Sequence, residues 1–367
     1  MIRFAPSPIL RSVAIAAAIA LLTPAAALVR AQSGLLVIAS GLDNPRGLNF
    51  GPDGALYVAE AGRGGTSTLC APAPDPPFAN RCYGPTGAIT RILAVGDQRR
   101  VVVGLPSIAP ASGNTAQGPV DIDFGMGAAW VTTGLGGNPA NRAPLEAGGV
   151  QLGRLLKINS IGQWESVVDL SAHEAANNPD GTTVDSNPFG LRVLDDRAYV
   201  ADAGANAVLQ ISKTGAISTF GVFPARQPTA APVSVQAVPT SVAVAPNGDV
   251  YVGELTGAPF FVGAARVYRI PAGGGTPVVV ATGFTNIIDI ALGPDGAGYV
   301  LEHDANGIIT PGDDGRLIRL NTNGTQTVLA STGLVKPGGV AIGPDGAIYV
   351  TLRANSAAIG EVVRIQP

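Results

Sequence analysis

"GPDGALYVAE", residues 51–60, returns as "GPDGAGYVLE" at 293–302 and as "GPDGAIYVTL" at 343–352. The aromatic-Val pair inside it recurs more widely, at Tyr57-Val58, Trp130-Val131, Tyr199-Val200, Tyr251-Val252, Tyr299-Val300 and Tyr349-Val350. Successive pairs lie about fifty residues apart in the last units and further apart in the first two, a period in the range of propeller repeats. Each unit opens with a short apolar strand ("RGLNF", "VDIDF", "FGLRV", "TSVAV", "IDIAL", "GGVAI") and turns into the strand that holds the pair. A third, alternating strand follows ("GAITRIL", "GRLLKIN", "NAVLQIS", "ARVYRIP", "GRLIRLN", "GEVVRIQ"), and most units then close with a fourth. Short strands with period-two alternation, Gly/Pro/Asn/Asp turns and no credible amphipathic helix in the mature chain predict an all-β protein, a six-bladed β-propeller.

The sixth unit ends after its third strand, at "EVVRIQP", whereas "GLLVIASGL" (34–42) resembles "TVLASTGL" at the end of unit five. The N-terminal strand is therefore expected to complete the last blade and close the ring, removing the edge of an open stack.

With 367 residues, 46% hydrophobic, 13% charged and a net charge of −3, the chain can bury a large core and carries no basic footprint for nucleic acid. Its start has a different character. A short basic stretch, the apolar run "VAIAAAIALL" (13–22) and the small-residue exit around Ala31 are the marks of a secretory signal peptide. That run is shorter than the ~20 residues of a membrane span. The expected organisation is a signal peptide over 1–31 and one propeller domain over 32–367, secreted or periplasmic, monomeric, with no membrane insertion after cleavage. Export gives meaning to the two cysteines, Cys70 and Cys82, in a loop rich in Pro, Gly and Asn. In an oxidising compartment the pair predicts a disulfide rather than a zinc site.

The Pro-Asp-Gly of the opening phrase reads as a turn between first and second strands, Pro52 fixing φ and Gly54 accepting positive φ. Unit four has Asn247 at the Asp position and unit three lacks the Gly, so Asp53, Asp295 and Asp345 are turn residues. The acid two residues after the Val is Glu60, Asp202, Glu254 and Glu302 in four units, but Thr133 and Leu352 in the others. Such acids belong near the upper mouth of the central channel. They form either a ring of carboxylates for a cation, Ca²⁺ being the one that hard oxygen ligands suit, or acceptors for backbone N–H groups of neighbouring turns. First-strand positions add three polar departures near the channel entrance, Arg46, Asp121 and Asp289. Arg46 either binds an anion bidentately or makes an interblade ion pair. His173 and His303 fall in loops on the same face, and "HDANGIITPGDDG" (303–315) has a calcium-loop flavour without EF-hand spacing. No nucleophile elbow, P-loop or dinucleotide fingerprint stands in the right context. Insertions over 62–86, 134–152 and 171–188 are expected to gather on the upper face, with Phe260 and Phe261 as an apolar wall, and elaborated loops on a rigid scaffold mark a functional face.

The stretches "GLDNPRGLNFGPDGALYVAEAGRGG" (41–65), "GPTGAITRI" (84–92) and "GRLLKI" (153–158) resemble the ScyD/ScyE family of exported bacterial β-propellers. The "GPDGAIYV"-type repeats are more distantly similar to NHL-repeat and gluconolactonase-like propellers. The first resemblance implies a name tied to biosynthesis of the sunscreen scytonemin and supplies no catalytic residues. The second implies a divalent cation held by a Glu near the start of the first strand, a position taken here by Arg46. Two functions stand: a non-catalytic propeller that binds a small-molecule ligand or a protein partner through its upper face, and a lactonase- or esterase-like hydrolase using a channel cation.

Overall fold

The structure is a computed structural model that describes residues 31–32, 34–72, 79–228 and 233–366. The expected signal peptide lies, except for Ala31, outside the described residues.

Six antiparallel sheets follow one another along the chain. Blade 1 is built from Pro45–Phe50, Leu56–Glu60, Arg81–Ala94 and Asp97–Ala109. Blades 2 to 5 repeat the plan from Pro119–Gly125, Pro188–Val193, Pro239–Val244 and Ile287–Leu292 as first strands. Blade 6 takes Gly339–Ile342, Ile348–Leu352 and Gly360–Ile365 from the C-terminal end and Leu35–Leu42 from the N-terminal end. The closing strand runs antiparallel to Gly360–Ile365, with Leu35 opposite Ile365 and Leu42 opposite Gly360. Ala31–Gln32 pairs outside it in turn. The ring is closed as the sequence predicts.

The Val of all six aromatic-Val pairs is fully buried between blades, where each contributes roughly 1.5–3 kcal/mol of burial free energy. In blades 1 and 6 the aromatic partner reaches the next blade's first strand. Tyr57 meets Phe124 edge-on at 5.0 Å between ring centroids, and Tyr349 meets Phe50 at 5.1 Å. The turn Asp does more than shape the turn. Asp53 accepts from the Ala55 N–H (3.2 Å), the Tyr57 hydroxyl (3.0 Å) and Arg91 Nη2 (2.6 Å). Asp345 does the same with Ala347, Tyr349 and Arg364, and Asp295 binds Arg319; in blade 4, where Asn247 holds the turn position, Asp249 two residues on binds Arg269. The third-strand Arg, visible in the sequence as the R of "TRI", "YRI", "IRL" and "VRI", is the unrecognised fourth member of the motif.

The expectation that the mature chain lacks helix needs correction in the insertions. Leu170–Asn177 is an α-helix, capped by the Asp169 carboxylate accepting from the Ala172 N–H (2.9 Å) and ended by Asn178 at φ 40°. Pro139–Leu145 is a 3₁₀ turn capped by Asn138. Both start at a side-chain N-cap, a local signal that the strand periodicity around it obscured. No helix among the described residues is long and apolar enough to cross a membrane.

Candidate functional site

In an antiparallel blade, second-to-third-strand loops and blade-joining segments share one end of the ring, here the upper end. The four repeated acids sit there, all fully buried. Glu60 accepts from the Asp43 N–H (2.7 Å) and from Arg100 through Nε (3.0 Å) and Nη2 (2.6 Å). Glu302 accepts from the Thr285 N–H (2.7 Å) and from Arg316 Nε (2.7 Å) and Nη2 (3.1 Å). Glu254 pairs with Arg226 and accepts from the Tyr268 hydroxyl (3.1 Å). Asp202 uses neutral donors only: the Asn187 N–H (2.6 Å), the Ser186 hydroxyl (2.7 Å) and the Gly204 and Ala205 N–H groups (3.2 Å each). Three of the acids thus hold their blade's entry segment by its backbone N–H. The structure does not bring the four together: among the described residues no group of three or more His, Cys, Asp or Glu is arranged to hold a metal ion. Carboxylates already saturated by arginine and amide donors do not fit the Ca²⁺ that the ring would suit.

Asp121 and Asp289 line the central channel, a cavity of about 270 Å³. Their blades face each other across the ring. Each carboxylate accepts from its own following N–H and from the first strand of the next blade: Asp121 from Ile122 and Leu191, Asp289 from Ile290 and Val340, all at 2.8 Å. Gly47 makes this possible, because a Cβ there would strike the Asp121 carboxyl. Among the described residues no cation pairs with either acid. Burial raises both carboxyls well above the usual carboxylate range, and the like negative charge of Asp289 adds to the rise at Asp121. One turn deeper, Asp123 bridges Asn49 of blade 1 and Arg192 of blade 3, a tie that the sequence did not flag.

Arg46 lies across the mouth. Its Nη2 donates to the Ala116 carbonyl (2.9 Å), between blades 1 and 2, and its Nη1 to Asn355 Oδ1 (3.3 Å), in blade 6. Asn355 Nδ2 in turn meets His303 Nε2 (3.1 Å), whose Nδ1 meets the Pro337 carbonyl (2.7 Å). A carbonyl can only accept, so Nδ1 carries the proton, Nε2 accepts, and His303 is neutral. Burial, with the positive charges of Lys336 and Arg46, pushes its pKa down to about 4. Arg46 is 8% exposed, no carboxylate lies within ion-pairing distance among the described residues, and burial lowers its pKa to about 10. It remains charged at neutral pH. In the calcium-like loop the cationic position is filled from within: the Lys336 ammonium sits between Asp304 and Asp313.

The insertions of blades 1 to 3 join into one cap at this end. Cys70 and Cys82 form the expected disulfide, tying Cys70–Ala71 to the third strand of blade 1. Ala71, Ile108, Leu135, Leu145 and Leu152 make a small core beneath. Arg81 clamps the second insertion by donating to the carbonyls of Leu135 (3.0 Å) and Gly136 (2.9 Å). Ser171 donates to Ser186, which donates to Asp202. His173 meets Asn177 and Thr219 on the flank and touches none of the mouth residues.

Glu174, on the cap helix, is buried with Oε2 unpartnered. Burial and the nearby charge of Asp202 raise it to about 7. Its native form holds a proton more tightly than the unfolded chain, so its ionisation costs stability as pH rises from about 4.5 through 7. Glu174→Gln is therefore expected to raise Tm by about 2–4 °C at pH 8 and to leave it unchanged at pH 4. Paired thermal melts at the two pH values check this, and a loss at pH 8 would count against the assignment.

No protein-family model and no curated protein matches the chain. Solved structures do. A glucose dehydrogenase superposes with a TM-score of 0.53 at 12% identity, over 91% of this chain and 99% of that one. The PQQ-bound aldose sugar dehydrogenase from Streptomyces coelicolor gives 0.51 at 12% identity, over 92% and 99%. A streptogramin B lyase gives 0.48 at 14% identity, over 90% and 96%. At these identities the likeness to the two dehydrogenases is one of fold alone.

Proposed function

We propose that the chain is an exported, non-catalytic β-propeller that binds a ligand or protein partner through its capped upper face, with an anionic group of that partner seated at the channel mouth on Arg46. The observation that carries this reading is the nine-tenths buried guanidinium whose acceptors, the Ala116 carbonyl and Asn355 Oδ1, are both neutral. A buried cation without a counter-charge is costly, and a carboxylate or phosphate reaching its remaining N–H donors would offset that cost. The disulfide and the signal-like start support export, and the ScyD/ScyE-like stretches fit such a protein. The lactonase- or esterase-like alternative would have to build its cation site on Asp121 and Asp289, since Glu60, Glu254 and Glu302 are held by arginine and Asp202 is filled by hydroxyl and backbone N–H donors.

A thermal-shift panel of small carboxylates and phosphates, read against wild type and Arg46→Met, tests the proposal. Ligands that stabilise the wild type are expected to lose about tenfold in affinity in the variant, as for a charge-assisted pair. Ca²⁺-dependent turnover of lactones or esters, abolished by Asp121→Asn or Asp289→Asn, would replace binding by hydrolysis as the function.

A further inference from the structure

The lower end of the ring, where first-to-second and third-to-fourth-strand turns meet, carries a cleft unrelated to the capped face. It lies along the seam of blades 1 and 2 and has a volume of about 1010 Å³, at the upper end of the range for small-molecule sites. Its floor is apolar. Tyr57 and Phe124 stack edge-on there, beside the buried side chains of Val102, Ile122 and Ile158.

The rim departs from the repeat. The third-strand residue aligned with Arg91 faces Glu165, Ser218, Val278, Thr327 and Leu36 on the outer strands of blades 2 to 6. In blade 1 alone Arg91 faces another arginine, Arg99. Like charges directly opposite on a strand pair are unfavourable. The charge of Arg91 is met by Asp53, whereas Arg100, next along the strand, lines the cleft but gives its guanidinium to Glu60 and Asp43 toward the upper end. Arg99 is exposed, lines the cleft and has no acceptor among the described residues.

An aromatic, apolar floor beneath a cationic rim with one unused guanidinium matches a flat amphipathic anion. We propose that the blade 1–blade 2 cleft binds a small aromatic carboxylate or sulfonate, its ring system on Tyr57 and Phe124 and its acid group on Arg99. The site is independent of the upper mouth.

The probe is 8-anilinonaphthalene-1-sulfonate, titrated by fluorescence into the full chain, with uncharged N-phenyl-1-naphthylamine as its counterpart. The sulfonate is expected to saturate a single site, and Arg99→Met to weaken it about tenfold, the worth of a hydrogen bond to a charged group. The same variant should leave the naphthylamine unchanged, and Arg46→Met should leave both probes unchanged. Ala128→Trp, which fills the cleft, is expected to abolish binding of both. Ile161→Asp, on the exposed turn at the rim, should weaken the sulfonate selectively and serves if the tryptophan variant does not fold. Failure of the sulfonate to bind wild type, equal affinity in Arg99→Met, or probes that survive a folded Ala128→Trp would each overturn the proposal.

Discussion

A chain that begins at Asp43 is expected not to fold. The segment it lacks is the outer strand of blade 6, and that strand does more than fill an edge. Ile38, Ala39 and Leu42 pack in one cluster with Leu48, Leu56, Val58 and Ile92 of blade 1 and Ala341 and Val362 of blade 6. The strand therefore fastens the first blade to the last. Removing Leu35, Ile38 and Leu42 alone forfeits about 5–9 kcal/mol at 1.5–3 kcal/mol for each buried side chain. A natural domain has only about 5–15 kcal/mol to lose. The exposed edge of Gly360–Ile365 then becomes a template for aggregation. Circular dichroism and size-exclusion chromatography should show an expanded or aggregated chain with no cooperative melt. A synthetic peptide of residues 31–43 added during refolding should restore part of it, because the closure is non-covalent. A truncated chain that melts cooperatively within a few degrees of the full one would refute the closure's energetic role.

This closure was readable because repeat proteins write the same backbone role at the same position in every unit. The aromatic-Val pair counts the blades, and a sixth unit lacking its fourth strand points to the N-terminal strand that completes it. What a repeat cannot show is the partner each position finds, since that partner comes from outside the repeated frame. Glu60, Glu254 and Glu302 look alike in sequence, yet their arginines are Arg100 on a fourth strand, Arg226 in a blade-joining segment and Arg316 on a third strand. Arg46 finds Asn355 some three hundred residues away. Asp121 and Asp289 stood out as polar departures among the first strands, but only the ring's geometry sets them opposite each other. The cap helix escaped because one N-cap aspartate is a weak signal beside strong strand periodicity. The Arg91–Arg99 pair escaped because register, and not sequence spacing, places them face to face.

Glu302→Leu is expected to destabilise the protein by about 2–4 kcal/mol, lowering Tm by roughly 5–10 °C. The carboxylate is fully buried, whereas Arg316 is 30% exposed, so the lost ion pair alone is worth less than a wholly buried one. The Thr285 N–H adds to the cost. It donates to Glu302, an acceptor that leucine removes, and an orphaned buried donor costs about 1–3 kcal/mol. Glu302→Gln keeps an oxygen for that N–H and should cost about half as much. Thermal and urea melts of the two variants measure the ordering. Functional readouts give the second arm: if Glu302 holds the entry of blade 5 in place, the glutamine variant retains the ligand response that Arg46→Met loses. A glutamine variant as stable as wild type that has lost the response would return Glu302 from architecture to the binding site.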